Sequence, residues 1–327
     1  MIDGPFWKPL SLLTNGLMRQ VRNKEYKLAL RTFYRAMKIP LNISGHMKLL
    51  GVLTSPCVAG LTSRHPPLVY KYLGTYLARG FRRKTRLAIQ LNHYRYLSER
   101  ISEHFLVHLA DHGVRLWEDS IDGLEFSTTL AIPLTNDNEG DLSLFFEINA
   151  EKIYQISFTI APGQPLQVGH AQVLLVGRVQ GVGGKYDLIR QAGKSCHGIL
   201  PGRLLLYAAE AIAEALDIHA VIGLGNEEQI IKEWSADAGV VFDYDQFWHS
   251  FNGEKTSGNL FVLPIPFPEK PIKEIKSSRR AQALRKRIFR KQVLDQVRSR
   301  FKEESVKERD LRHALPLPQI KSSISSI

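Results

Sequence analysis

Apolar residues recur at helical spacing over residues 17–39. Tyr26, Leu30, Phe33, Tyr34 and Met37 share one face, and Arg19, Arg22, Lys24, Lys27, Arg31 and Arg35 occupy much of the rest. Pro40 ends this predicted helix. Residues 45–60, with Gly45, Gly51, Pro56 and Gly60, read as an apolar loop. Pro66 and Pro67 open a short helix through Tyr70, Leu73 and Leu77. A long helix is expected over about 84–111, with Leu87, Leu91, Tyr94, Ile101, Phe105 and Leu109 on one side and Gly113 just past its end.

From Val114 the period becomes that of strands. Val114, Leu116, Leu124, Phe126, Thr128, Leu130 and Ile132 alternate with polar neighbours. Asn136 to Gly140 is a turn signal. Leu142–Ile148, Ile153–Ile160 and the near-continuous apolar run Val173–Val179 follow as strands. Helices return at Tyr186–Ser195 and at 201–216, with Pro201 at the start of the second. Ile218–Leu224 reads as a short buried strand, Asn226 as the cap of a helix over 227–235, and Leu260–Leu263 as a last strand. Pro264 to Pro268 is a rigid linker. Residues 272–310 read as one long basic helix or a bent pair, with Leu284, Ile288, Phe289, Val293, Val297 and Phe301 at helical spacing. The pattern as a whole predicts an α+β chain. A basic helical region at 1–113 precedes an α/β core at 114–268, whose mainly antiparallel sheet carries packed helices. A basic helical extension at 269–315 and a disordered tail at 316–327 complete it.

Charge divides the chain the same way. The net charge is +12, yet residues 1–100 hold 18 Lys+Arg against 3 Asp+Glu, residues 101–268 hold 9 against 22, and residues 269–327 hold 17 against 7. A uniformly basic nucleic-acid binder has no such acidic centre. The clusters Arg82, Arg83, Lys84, Arg86 and Arg279, Arg280, Arg285, Lys286, Arg287, Arg290, Lys291 suggest contact with an anionic surface. Lipid head groups, a lipopolysaccharide precursor and RNA are such partners. The same clusters can equally be solvated helix faces, or be neutralised by the acidic centre. Two cysteines, Cys57 and Cys196, imply no disulfide framework and no metal ribbon, and a reducing compartment is expected. No run of 18 apolar residues occurs, and Pro5, Lys8 and Pro9 break the N-terminus too soon for a signal peptide. A cytoplasmic protein without a transmembrane segment, peripheral to the inner membrane if its cations bind lipid, is the expectation.

Several constellations invite chemistry. Gly193-Lys194-Ser195 lacks the glycine of a phosphate-binding loop, since that position is Leu188, and it follows a helix rather than a strand. His104, His108 and His112 lie along one helix face, but Phe105 stands where a metalloprotease helix carries Glu, and no metal site is assigned. Asp243-Tyr244-Asp245 and Phe247-Trp248-His249 bring together carboxylates, rings and an imidazole, as an acid–base site or as a turn with aromatic anchors. Arg178-Val179-Gln180-Gly181-Val182-Gly183 follows a strand and precedes a helix. It resembles the pyrophosphate loop of GCN5-related N-acetyltransferases, where backbone N–H groups hold coenzyme A phosphates. That resemblance implies acyl-coenzyme A as cofactor. Arg178, Gly181 and Gly183 would hold it, and Asp243, Asp245 or His197 would serve as base. Residues alone fix no cofactor.

A second resemblance covers about residues 60–305. Val176 to Gly181, Cys196 to Leu206, Phe242 to Trp248, Leu263-Pro264 and Glu274 to Arg280 resemble, in order and spacing, the VirK/YbjX family of bacterial proteins, a family of unknown function. Where that family suggests a Ser-Asn-x-x-His segment, this chain reads Gly225-Asn226-Glu227-Glu228-Gln229, so no His-dependent role is assigned there. The resemblance implies a Gram-negative bacterium, virulence, envelope permeability and tolerance of cationic antimicrobial peptides. The leading expectation is thus a virulence and envelope-integrity factor, cytoplasmic or peripheral to the inner membrane. An acyl-coenzyme A-dependent transferase and a nucleic-acid-binding regulator are the two rivals.

Overall fold

The computed structural model describes residues 26–133, 137–230 and 242–313, together with Met18 and Arg22. Five strands run as an antiparallel meander: β1 (Val114–Ile121), β2 (Leu124–Ala131), β3 (Leu142–Ile148), β4 (Glu151–Pro162) and β5 (Gln172–Gly181). Tight left-handed turns at Asp122-Gly123 and Asn149-Ala150 join β1 to β2 and β3 to β4. The chain then crosses over through α6 (Tyr186–Ser195) and α7 (Pro201–Ala215) and returns as β6 (Ala220–Leu224), parallel to β5. A parallel return needs such a crossover, because a tight hairpin can join only antiparallel neighbours. Strands β7 (Glu254–Lys255) and β8 (Leu260–Pro264) complete one sheet of order β1-β2-β3-β4-β5-β6-β8-β7. The expected α+β class with a mainly antiparallel sheet is therefore what the chain adopts.

Before the sheet come α1 (Tyr26–Ala36), α2 (Ile43–Leu53), α3 (Pro56–Arg64), a 3-10 segment at Pro66–Leu73, α4 (Arg83–Arg100) and α5 (Glu103–Asp111). Two expectations are corrected here. The apolar loop at 45–60 is a helix pair. Asn42 caps α2 by accepting from Gly45 N at 3.3 Å, Pro56 opens α3, and Leu49, Leu53, Val58 and Leu61 are buried. Glycine and proline there punctuate helices instead of unmaking them. The single helix expected at 84–111 is broken at Ile101, which is extended, and Ser102 caps α5 by accepting from Phe105 N at 3.2 Å. The predicted helix after Asn226 is a 3-10 turn at Asn226–Glu228, and most of its remainder lies outside the described residues, as does the tail at 316–327.

One hydrophobic cluster runs from Ile39 to Phe301, through helices from both ends of the chain and the sheet between them. A smaller one gathers Ile89 of α4 and residues 76–78 against Val173, Leu175 and Ile222. The alternation along β5 thus loads both faces of the sheet. The N-terminal helices are also tied down by a buried polar knot. Asp141 accepts from Lys71 Nζ at 2.8 Å, Tyr94 OH at 2.9 Å, Thr159 Oγ1 at 2.8 Å and Tyr76 OH. Burial pushes its carboxyl up, but Lys71, His93 and these hydrogen bonds outweigh that and hold it well below the usual carboxylate range. Every acceptor site of Asp141 is used, so this knot is structural. Helix α9 (Ser277–His313) lies along α7 and β1, with Phe289, Val293, Val297 and Phe301 buried.

Candidate functional site

Strands β5 and β6 pair only at Leu174–Val221, Leu175–Ile222 and Val176–Gly223, then part. The departure coincides with an irregularity against β4, where Ser157 pairs with Arg178 and Phe158 with Val176, leaving Gly177 as an extra residue. Only glycine fits there, because a Cβ would collide with the carbonyl oxygen of Glu139. Ligand crevices in sheets with parallel strands lie beyond the carboxyl ends of those strands, and both carboxyl ends here face the same opening.

Helix α8 (Tyr244–His249) reaches into the opening. Tyr244 OH accepts from Val179 N at 3.3 Å, and Trp248 Nε1 donates to Leu224 O at 2.8 Å. These two rings satisfy the backbone groups that parting strands leave bare. Gly223 makes room for the Trp248 indole, against which a Cβ would clash. Asp243 caps α8, accepting from Gln246 N at 3.0 Å and from Asn226 Nδ2 at 2.9 Å. Asp245 accepts from Asn226 N at 2.7 Å and pairs with Lys255 Nζ at 2.7 Å. Backbone N–H donation from Gln246 and the Asn226 amide hold Asp243 below its ordinary range. Asp245 is partly desolvated, which raises it, yet Lys255 and Asn226 N outweigh that and hold it below its ordinary range. Both expected bases are thus fully engaged carboxylates with depressed proton affinity. The third, His197, is exposed in a left-handed turn, and its ring meets Phe289 of α9 edge-on at 5.1 Å, apart from the aspartate network.

The loop beyond β5 is open. Val182 N donates to Ile153 O at 2.9 Å, and Lys185 N donates to Val182 O at 3.2 Å, which closes the turn before α6. Gly184 has φ +75°, and a Cβ on Gly183 or Gly184 would meet nothing. Gly181 is packed instead against Ile189 and Tyr154. Arg178 does not face this loop freely, since its guanidinium pairs with Glu139.

Two site residues escaped the sequence, Glu139 and Tyr154; Tyr244 belongs to the Asp243-Tyr244-Asp245 run already singled out. Glu139 pairs with Arg178 next to the bulge, Tyr244 OH accepts from Val179 N, and Tyr154 lies beside Tyr244. Burial raises Glu139, against the pull of Arg178, and burial pushes Tyr244 up to about 12. Tyr154 is raised by burial and by Tyr244 beside it. Titratable groups shifted by burial beside a strand opening are what active sites gather. A glycine inside a strand, Gly177, was the one available signal; nothing local marks Glu139.

The expected anionic surface divides. Arg82, Lys84, Arg279, Arg280, Arg285 and Lys291 are exposed. Arg83 is half-buried. Arg86 donates to Gly74 O at 2.5 Å, Lys286 to Gly198 O at 3.0 Å, and Arg287 pairs with Glu269 at 2.9 Å. Arg290 is buried and corrects the expectation outright, bonding both Glu210 oxygens at 2.9 Å and Glu269 at 2.7 Å. Lys286, Arg287 and Arg290, with Arg203 and Tyr207, line a cavity of about 370 Å³ in which these four cations already have partners. Cys196 is a buried thiol pushed up to about 12, His104 stacks on His108, and His108 meets the His112 ring at a tilt. Among the described residues no group of three or more His, Cys, Asp or Glu is placed to hold a metal ion.

An α+β fold of one sheet, opened at its only parallel pair among the described strands, is thus the class of protein at hand. The chain belongs to the family described as Protein of unknown function (DUF535), whose pattern matches residues 19–303, the VirK/YbjX family that the sequence resembles. It is 29% identical over 253 residues, 74% of each chain, to the uncharacterized protein YbjX of Escherichia coli (strain K12). An uncharacterized protein of Haemophilus influenzae is 30% identical over 152 residues, 46% of this chain and 47% of that one. No solved structure matches. No helix among the described residues is long and apolar enough to cross a membrane.

Proposed function

We propose that this protein is an acyltransferase that draws its acyl group from coenzyme A at the opening between β5 and β6. The observation that carries the reading is the parting of a parallel strand pair at a glycine bulge, with a glycine loop leading from the parted end into α6. The loop fits a pyrophosphate: Gly183 and Gly184 leave open space, and the first-turn N–H groups of a helix have no intrahelical partner. The notch fits an extended arm less simply, because Tyr244 and Trp248 occupy it, so an arm between the strands has to displace α8.

Bound there, coenzyme A would supply an activated acyl carbon for an acceptor amine or hydroxyl, with its thiol as the leaving group taking up a proton. Tyr244 moves with α8 when the arm enters, so no proton transfer is placed on it. Glu139, raised by burial, stands as the group that takes a proton from the acceptor. Arg178 positions Glu139 and does not hold phosphate. Envelope integrity, virulence and peptide tolerance belong to this proposal as the setting that family resemblance implies, with an envelope component as acceptor. Nucleic-acid binding through α9 draws little support, since Arg287, Arg290, Arg298 and Arg300 pair with acidic side chains.

Isothermal titration with acetyl- and longer acyl-coenzyme A tests the reading. Wild type should bind, and Gly183→Asp, which fits sterically but sets a carboxylate against phosphate, should weaken binding about tenfold or more. Absence of heat with every acyl-coenzyme A at millimolar ligand would end the proposal.

A further inference from the structure

Among the described residues, helix α1 meets the body near its end. Ile39, just past its end, is buried, Ala36 packs on the main core, and the Arg35 guanidinium lies against Gly74 after the 3-10 segment. The opposite face carries Tyr26, Leu30, Phe33, Tyr34, Met37 and, in the next turn, Leu41, all exposed; Leu30 is 70% and Phe33 52% accessible. These positions follow helical spacing, so they form one continuous apolar stripe. A stripe of this size on a soluble body marks an interaction surface.

Charge selects the occupant. Residues 18–38 contain seven Lys+Arg and one Glu. Lys38 Nζ lies over the Tyr34 ring, 4.5 Å from its centre, at the edge of the stripe. A second basic group borders the helix base: Arg86 bonds the carbonyl of Gly74, the residue on which Arg35 rests, and Arg83 is within electrostatic reach of Tyr72 in the adjoining 3-10 segment. A second copy docking here would bring two cationic faces together. A bilayer with anionic head groups takes both features at once, with rings and aliphatic chains in the acyl boundary and cations among the phosphates.

We infer that α1 lies in the plane of an anionic lipid surface and holds the protein there reversibly, through the Tyr26–Leu30–Phe33–Met37 stripe and the cations around it. The anchor is α1 and not the C-terminal helix, and it is independent of the acyltransferase reading. Flotation of the full chain with phosphatidylcholine vesicles, with and without phosphatidylglycerol, tests it. Wild type should float with the anionic vesicles, less so in high salt, and stay behind with neutral ones. Leu30→Glu with Phe33→Glu changes exposed positions only, so its circular dichroism and melting should match wild type while the bound fraction falls about tenfold or more. Equal flotation with neutral vesicles, or a double variant that floats as wild type does, overturns the inference. Sedimentation equilibrium covers the remaining occupant: a wild-type dimer that the double variant dissolves makes the stripe a self-association surface and overturns the lipid.

Discussion

Helix α9 turns its apolar stripe inward, and α1 turns its own outward, although both read in the sequence as rings and aliphatics among cations. On α9, Phe289, Val293, Val297 and Phe301 are buried, and Phe301 meets Phe105 edge-on at 5.8 Å. Four of its cations meet acidic partners: Arg287 with Glu269, Arg290 with Glu210, Arg298 with Glu214 and Arg300 with Glu118. Helix α7 supplies both Glu210 and Glu214, so the acidic centre and the basic C-terminal end are two halves of one interface. The N-terminal end has 3 acids in its first 100 residues, and its stripe stays in solvent. A basic amphipathic helix is therefore a docking element in either case, and the complementary charge within the chain decides whether it docks internally. The first turns of α9 keep Leu284 and Ile288 exposed beside Arg285, and Lys291 is exposed as well.

Breaking the internal interface should have the largest effect. Glu210→Ala leaves Arg290 buried without its bidentate partner and should cost about 3–5 kcal/mol in denaturant unfolding. The exposed pair Arg300–Glu118 should cost less than about 1 kcal/mol when Arg300 is replaced by Ala. If the two replacements cost the same, α9 is not held by buried charge. Apolar truncation separates the ends next. Phe301→Ala should lose about 3–5 kcal/mol, whereas Leu30→Ala should stay within about 0.5 kcal/mol, because its side chain already faces water. Comparable losses in chemical denaturation would mean that α1 also packs inward.

Acid sharpens the comparison on the N-terminal side. Burial lowers His46 and His93 to about 4 from an ordinary 6.5, and His46 Nδ1 lies 3.2 Å from the hydroxyl of Tyr72, under α1. Asp141 pulls His93 the other way without reversing it. Both rings are neutral in the fold, while the unfolded chain takes up their protons first. Their stabilisation is complete above pH 6.5, falls as pH drops from 6.5 to 4, and amounts to at most about 3 kcal/mol each. His46→Gln should flatten that slope in melts recorded across this range. An unchanged slope would place the proton uptake elsewhere.

Much of the architecture was legible in residue order. The Tyr186–Ser195 helix, the helix opening at Pro201, the β4 and β5 runs and the mainly antiparallel sheet follow from periodicity and caps. Other elements misled for identifiable reasons. Glycine and proline at 45–60 signal a loop, yet burial of Leu49, Leu53 and Leu61 outweighs their propensities. Nothing in 84–111 breaks the helical period, and the turn at Ile101–Ser102 exists because α5 must lie on a different part of the core. At the site, the glycine loop was legible because Gly183 and Gly184 stand together in the residue order after a strand. Glu139 and Tyr154 were not, since they meet Arg178 and Tyr244 only across strands.

By itself, then, the sequence determined the class of fold, the family, the glycine loop after β5 and the charge contrast between the ends and the centre. Local periodicity, turn chemistry and composition carry that information. Tertiary structure alone decided which stripe is buried, which cations are neutralised, where β5 leaves β6, and that Asp243 and Asp245 are caps and ion-pair partners. Each of those outcomes depends on groups far apart in the chain meeting at hydrogen-bond distance, and residue spacing carries no record of such a meeting.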